Sequence, residues 1–540
     1  MTGIRVLSFL AAAVSTIAVV GEPPSIERLV PMGGQQGTAV EVTIVGKPGD
    51  GNLKAVSDSD DIAVVVGESK TSAKISIAPT ARPGIHWLRF CNPSGATELR
   101  PFVVGLVPEV AEVEPNAKIS ESQNVSPPSA TINGVLEKAG DVDTFAVELT
   151  KGQILVASFH AHAILGSPMD GVLQIVSEKG NVLVQNDDDL GFDPRLQFVA
   201  PGDGKWFVRT FAFPAAPNST IRFAGGPDYV YRLTLTTEAV VEHTMPAVRF
   251  SGDAETTLAL HGWNLASPTV VLPRDQEMLE NGVALPFRVS SVDIPVSQES
   301  LLSKVRTLVL PIAVSGEISS SGVDAFTINA AMSQKLSLSV QARAIGSLLD
   351  PVLAIFGSDG KLIQESDDIN GDNPDSELHL TMPADGLYRV TVRDRFQNSG
   401  NRFFYVLRCE ESRPTFSATV ATTAFTMPSD KPLEIPITVD RRHGFSEAVD
   451  FRFEGLPDGI TAECPRSEKD GESSKAITLK VSGAAKEAFQ GSVKVVAESV
   501  DSKQPQSIGF RTADGVTVEH LWLTIPATAT VEPSAPAAEM

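Results

Sequence analysis

One module occurs twice in this chain, and that repeat constrains the fold more than any other feature. Gly166-Ser167-Pro168-Met169-Asp170-Gly171-Val172-Leu173 reads against Gly346-Ser347-Leu348-Leu349-Asp350-Pro351-Val352-Leu353. The register continues through Gly180 with Gly360 and Asp187-Asp188 with Asp367-Asp368. After a short insertion, Asp203-Gly204-Lys205-Trp206 meets Asp385-Gly386-Leu387-Tyr388, and upstream Asp143-Thr144-Phe145 matches Asp324-Ala325-Phe326. A whole domain repeated, with no enzyme-sized segment between or beside the copies, points to a modular binding or scaffold protein rather than a catalyst.

Period-two alternation gives the repeat its secondary structure. Leu155, Ala157, Phe159, Ala161 and Ala163 form one row of a strand, and Leu336, Leu338, Val340, Ala342 and Ala344 form the same row in the second copy. Each is expected to face a sandwich core. The opposite row, Ile154, Val156, Ser158, His160 and His162, is expected to be an exposed strand face, because Gln341 and Arg343 stand where the two histidines would align. With 42 Gly, 37 Pro and 42% hydrophobic residues among 540, the chain suits many short strands joined by tight turns. The expected fold class is all-β, a tandem array of β-sandwiches.

Charge and the N-terminus narrow the function classes. A formal charge of −22 repels phosphate backbones and anionic lipid, so nucleic acid and membrane surfaces are not expected partners, whereas divalent cations are natural counterions. Arg5, the uncharged run Val6 to Val20 and the small residues near Gly21 read as a cleaved export signal. No Cys follows that run and no second apolar stretch is long enough to span a bilayer, so the expected location is secreted, periplasmic or cell-surface. Cys91, Cys409 and Cys464 leave two options open: a Cys409–Cys464 pair, or free buried thiols.

Several segments resemble known families. Glu112-Val113-Glu114-Pro115-Asn116, Ile132-Asn133-Gly134, Gly140-Asp141-Val142-Asp143-Thr144-Phe145, Asn186-Asp187-Asp188, Asp203-Gly204 and Tyr231-Arg232-Leu233 together resemble the bacterial pre-peptidase C-terminal domain. The resemblance implies a jelly-roll-like sandwich, secreted, commonly appended to peptidases, with calcium or a polymer bound in some members. Pro24-Ser25-Ile26-Glu27-Arg28-Leu29-Val30-Pro31 and the strand Ala39 to Gly46 resemble an immunoglobulin-like domain of the transcription-factor type. Similar immunoglobulin-like features occur at His261-Gly262-Trp263-Asn264-Leu265 and Gly455-Leu456-Pro457-Asp458-Gly459-Ile460. The expected boundaries are a signal at 1–21, an immunoglobulin-like domain at 22–107, the first copy at 108–238, a small immunoglobulin-like unit at 239–310, the second copy at 311–410, an immunoglobulin-like domain at 411–526 and a disordered tail at 527–540.

Acidic residues carry the one chemical constellation. Glu112, Glu114 and Asn116 are spaced by two, so an extended chain aims three oxygens to one side, and Asp141 with Asp143 repeats the spacing. Calcium takes about six to eight oxygen ligands, and these positions match the calcium-binding lead-in of the resembled family's collagen-binding relatives. The competing reading is a solvated linker whose Asp residues cap turns. In the second copy Asp324 remains but no Glu-x-Glu-Pro-Asn precedes it, so calcium is expected in the first copy alone. The loop Asp367 to Asp375 superficially matches an EF-hand but lacks its sixth-position Gly and distal Glu, which favours turn chemistry. Gly-x-Ser-x-Gly, His-Glu-x-x-His and Walker motifs are missing, and the protein is not expected to be an enzyme. The functional expectation is an envelope adhesion or scaffold protein recognising a protein or polysaccharide at the cell surface. The alternative is a subunit that targets a separate peptidase or glycosidase to a collagen-like or polysaccharide polymer.

Overall fold

The computed structural model describes residues 21–216, 222–299, 307–319, 322–371, 373–485, 487–503, 505–511 and 517–526. The expected export signal before Gly21 and the tail at 527–540 lie outside the described residues. The fold is all-β, a series of packed β-sandwiches. No helix among the described residues is long and apolar enough to cross a membrane.

The repeat is a ten-strand sandwich, and its topology is identical in the two copies. In the first, one sheet runs Glu109–Ala111, Ser129–Val135, Val230–Thr236, Ile154–His160, Arg195–Val199. The other runs Gln123–Asn124, Asp143–Leu149, Gly204–Pro214, Met169–Val176, Val182–Asn186. In the second copy the corresponding sheets are Val296–Gln298, Ile312–Glu317, Phe404–Glu411, Lys335–Gln341, Ser376–Thr381 and Thr307–Leu308, Val323–Ala330, Gly386–Asp394, Pro351–Phe356, Leu362–Ser366. The inward rows behave as their period requires: Leu155, Ala157, Phe159 and Ala161, like Leu336, Leu338, Val340 and Ala342, are fully buried. Alternation stops there. His162–Leu165 and Arg343–Ile345 are short helical turns closed by left-handed Gly166 and Gly346, which leave Ala163 and Ala344 exposed.

Two further sequence expectations change. The second copy's sheet begins at Val296, inside the stretch assigned to the middle unit, because Val296–Gln298 pairs parallel with Ala313–Ser315 as Glu109–Ala111 pairs with Thr131–Asn133. Pro295 and Pro108 hold the same place, each accepting the backbone N–H of the residue that opens this register, Ala313 at 2.8 Å and Thr131 at 2.8 Å. The second change concerns the Ile154–His160 face expected to meet water. Val156 and Ser158 are buried, with Val156 packed among Val107 of the first unit and Val240 and Ala284 of the middle unit, and His162 has left the strand for the helical turn.

The flanking units are sandwiches with their own cores, built on Leu29, Ile75, Phe90 and Phe102 at one end and Ile435, Leu479, Val495 and Phe510 at the other. The middle unit is different. Among the described residues its core holds only Val241, Leu258, Leu272, Leu279 and Val289 as buried members, and a second apolar group, Val248, Val292 and Ile294, is completed by Ala313 and Val406 of the second copy. So small a core does not offset the chain entropy of its unit, and the neighbours supply the rest.

The chain folds back on itself. Arg89 of the first unit donates to Thr423 Oγ1 of the last at 2.9 Å, and Thr422 and Thr423 donate to the Glu98 carboxylate at 2.5 Å each. The two copies touch through Arg402, which pairs with Asp189, and reaches Glu242 of the middle unit at 2.6 Å. Cys91, Cys409 and Cys464 are free thiols, so the Cys409–Cys464 pairing left open by the sequence is not formed.

Candidate metal centre in the first copy

Four of the five sequence-selected residues converge. After the parallel pairing of Glu109–Ala111, the Glu112 N–H donates to Asn133 O at 2.9 Å and keeps the lead-in against the sheet. Glu112 then turns its carboxylate inward: Oε2 accepts the Val135 N–H and Oε1 accepts Asn116 Nδ2, both at 2.8 Å. The Asn116 N–H donates to Glu114 Oε2 at 2.8 Å, folding the segment on itself, and the Thr144 N–H donates to Asn116 O at 3.1 Å, tying it to the strand that begins at Asp143. Carboxylate oxygens of Glu112, Glu114 and Asp143 lie within 4.8 Å of one another.

Gly134 explains why the neighbouring strand allows this. A Cβ there would meet the Tyr231 hydroxyl at 2.3 Å and Glu112 Oε2 at 2.7 Å, so only glycine admits both groups. Tyr231 crosses beneath it and donates its hydroxyl hydrogen to Asp143 Oδ2 at 2.6 Å.

The electrostatics are unbalanced as they stand. Among the described residues no Lys, Arg or His pairs with Glu112, Glu114 or Asp143. Burial first, and the charge of Glu112 second, push the Asp143 carboxyl up to about 10. Burial also raises Glu114, with Asp141 and Glu112 adding to it. Asn116 Oδ1 and Asp143 Oδ1 are both buried and accept no hydrogen bond from the protein. Unsatisfied buried oxygens cost about 1–3 kcal/mol each, so a proton or a cation must answer this cluster. An all-oxygen donor set suits a hard divalent cation such as calcium, with bidentate carboxylates or water completing the shell.

Asp141 is not part of the tight group. Its Oδ2 accepts the Glu137 N–H at 2.7 Å, closing the turn before Asp143, and it acts on the cluster through its charge. In the second copy Tyr405 donates to Asp324 Oδ2 at 2.8 Å over Gly316, as Tyr231 does to Asp143 over Gly134. Glu299 follows its parallel strand as Glu112 follows Ala111, a correspondence sequence reading missed although Pro295 and Glu299 repeat the four-residue spacing of Pro108 and Glu112. Counting onward, Leu301 falls where Glu114 stands and Ser303 where Asn116 stands, in a stretch outside the described residues.

The EF-hand-like loop is turn chemistry. Asp375 Oδ1 accepts the N–H groups of Ala342 and Arg343 at 3.0 and 2.8 Å, and Asp193 does the same for His162 at 2.7 Å in the first copy.

No family model matches this chain. A probable subtilase-type serine protease of Deinococcus radiodurans is 27% identical over 215 residues, covering 34% of this chain and 28% of that protein. The chain thus matches less than a third of that relative's length. Among solved structures, the M60 catalytic domain with the CBM51-1 and CBM51-2 domains of Clostridium perfringens ZmpB aligns at 10% identity and a TM-score of 0.15, over 74% of this chain and 56% of that one. The N-terminal eight Ig domains of Down Syndrome Cell Adhesion Molecule align at 10% identity and 0.14, over 91% and 72%. At such TM-scores neither carries an argument.

Proposed function

We propose that this chain is a non-catalytic binding and scaffold protein of a bacterial envelope, exported, and stiffened by one calcium ion held in the first copy by Glu112, Glu114, Asn116 and Asp143. The observation that carries the calcium assignment is the pair of buried, unpartnered oxygens, Asn116 Oδ1 and Asp143 Oδ1, beside three carboxylates that no protein cation neutralises. The ion would brace a junction. Glu109, three residues before Glu112, accepts Arg232 at 2.7 and 2.9 Å, and Arg232 lies directly under Gly33 of the first unit. Sandwiches in contact with one another suit a platform that presents loops to a surface protein or polysaccharide.

Thermal unfolding of the whole protein in calcium and in chelator tests the ion. A rise in Tm with calcium that Glu114→Ala removes supports the assignment, and an unchanged Tm in both overturns it. A second reading, a module that delivers a peptidase to its polymer, is favoured by the partial match to a subtilase-type protease. Retention of the protein on insoluble collagen, chitin or cellulose favours delivery, whereas retention only on the producer's own envelope favours the scaffold.

A further inference from the structure

Where the first unit, both copies and the middle unit meet, they wall a cavity of about 340 Å³. Small-molecule sites commonly have volumes of about 300–1,000 Å³ and favour domain interfaces. Its walls are chiefly aliphatic: Val104 from the first unit, Ile164 and Leu190 from the first copy, Val241 and Leu285 from the middle unit, and Ile345 from the second copy. Ile85, 42% exposed, stands at the rim.

Polar groups enter this cavity from the first copy's sheet, and they are not equivalent. Arg232 is bound by Glu109 and by Asn133 Oδ1 at 2.8 Å. Arg195 is bound by Asp189 at 3.0 Å and lies 3.6 Å from Glu242, so neither guanidinium is free to meet an anion. His160 is unlike the two guanidiniums. It lines the cavity, and among the described residues its ring nitrogens have no hydrogen-bond partner. Burial first, then the charges of Arg232 and Arg195, lower it to about 4, so at neutral pH it offers one N–H donor and one bare nitrogen acceptor. A charged guest would give up its hydration with every nearby counter-charge already engaged, a cost that apolar walls do not return.

We infer that this interdomain cavity is a binding site for a neutral, predominantly apolar small molecule bearing a hydroxyl or carbonyl group, which His160 recognises by hydrogen bonding. The second copy has no counterpart: Gln341 stands where His160 does, and the matching sheet face is filled by Ala313 and Val406 packed on Val248 and Val292.

The test uses the whole protein and two fluorophores of one skeleton, neutral N-phenyl-1-naphthylamine and its anionic sulfonate, 8-anilinonaphthalene-1-sulfonate. The expected result is saturable binding of the neutral probe at one site per chain, with the sulfonate at least about tenfold weaker. Leu285→Trp should fill the cavity and Ile85→Trp, at an exposed position the fold tolerates, should block the rim; each should weaken the neutral probe at least about tenfold. As displacers, 2-naphthol should outcompete naphthalene in the native protein, and His160→Leu should abolish that preference. Non-saturable binding, equal binding of the sulfonate, or neutral-probe affinity unchanged in folded Ile85→Trp overturns the site. An equal 2-naphthol preference in His160→Leu overturns the role of the histidine.

Discussion

The first and second copies show which parts of a β-sandwich a repeat must keep and which it is free to lose. Both retain the buried Phe145 and Phe326, the Tyr–Asp bond under a glycine, and the Asp that caps the helical turn. These groups close the sandwich on itself, and changing any of them leaves a void or an unpaired polar atom inside. What differs lies on surfaces that meet something else. The lead-in of the first copy carries Glu114 and Asn116, and its outer sheet face carries His160 and Arg232 toward neighbouring units. Divergence at the edge costs the core nothing.

Four experiments break or sharpen this contrast. The largest effect is expected from the shared core: Phe145→Ala and Phe326→Ala should each cost about 3–5 kcal/mol in denaturant unfolding. A cost below about 1 kcal/mol in either copy would end the claim that the two interiors are equivalent. Next comes the ion. At calcium about a hundredfold above its dissociation constant, stabilisation should reach about 2.7 kcal/mol, lost in Asn116→Ala and kept in Asp324→Asn, as read by paired melts with and without chelator. Calcium stabilisation that vanishes in Asp324→Asn instead would place the ion in the wrong copy.

Removing the phenol hydroxyl should matter in both copies, by about 1–3 kcal/mol for Tyr231→Phe and for Tyr405→Phe, because each leaves a buried carboxylate oxygen with one donor fewer. Comparable losses in chelator, with calcium offsetting only that of Tyr231→Phe, would show the shared bond and the separate ion acting together. The smallest effect concerns acid. His160 has a folded pKa of about 4, below its ordinary 6.5, so the stability of keeping it neutral is present above pH 6.5 and is lost as pH falls toward 4. His160→Gln, which installs the second copy's residue, should flatten the decline in unfolding free energy between pH 6.5 and 4, measured by denaturant titration at each pH, by up to about 1.4 kcal/mol per pH unit. An unchanged decline would assign the acid response elsewhere, first to His243, which is held at about 3 by burial, His261, Arg402 and Arg195.

Much of this protein is legible in one dimension because strands and turns are local. The rows at 155–161 and 336–342 alternate with a period of two, and that period alone assigns their core faces. Glycine and aspartate at 203–204 and 385–386 mark reversals for reasons confined to a few residues. The acidic lead-in was also legible, since Glu112, Glu114 and Asn116 sit on one short segment. Asp143 joined them only because the next strand delivers it there, and Asp141, equally eligible by spacing, was drawn off to cap its own turn. The parallel strand Val296–Gln298 was hidden because an insertion breaks the repeat's register, and a three-residue strand carries too few positions to show a period.

The sequence by itself determined the duplicated module, the all-β class, the inward rows and the acidic composition of the lead-in, each a consequence of local pattern. Tertiary structure alone decided that the outer face of Ile154–His160 is covered, that the first and last units meet, and that a cavity remains at the junction. A strand has two faces of equal standing, and its sequence distinguishes apolar from polar. Whether a mixed face such as Val156, Ser158 and His160 meets water or another domain depends on which surfaces the rest of the chain brings to it.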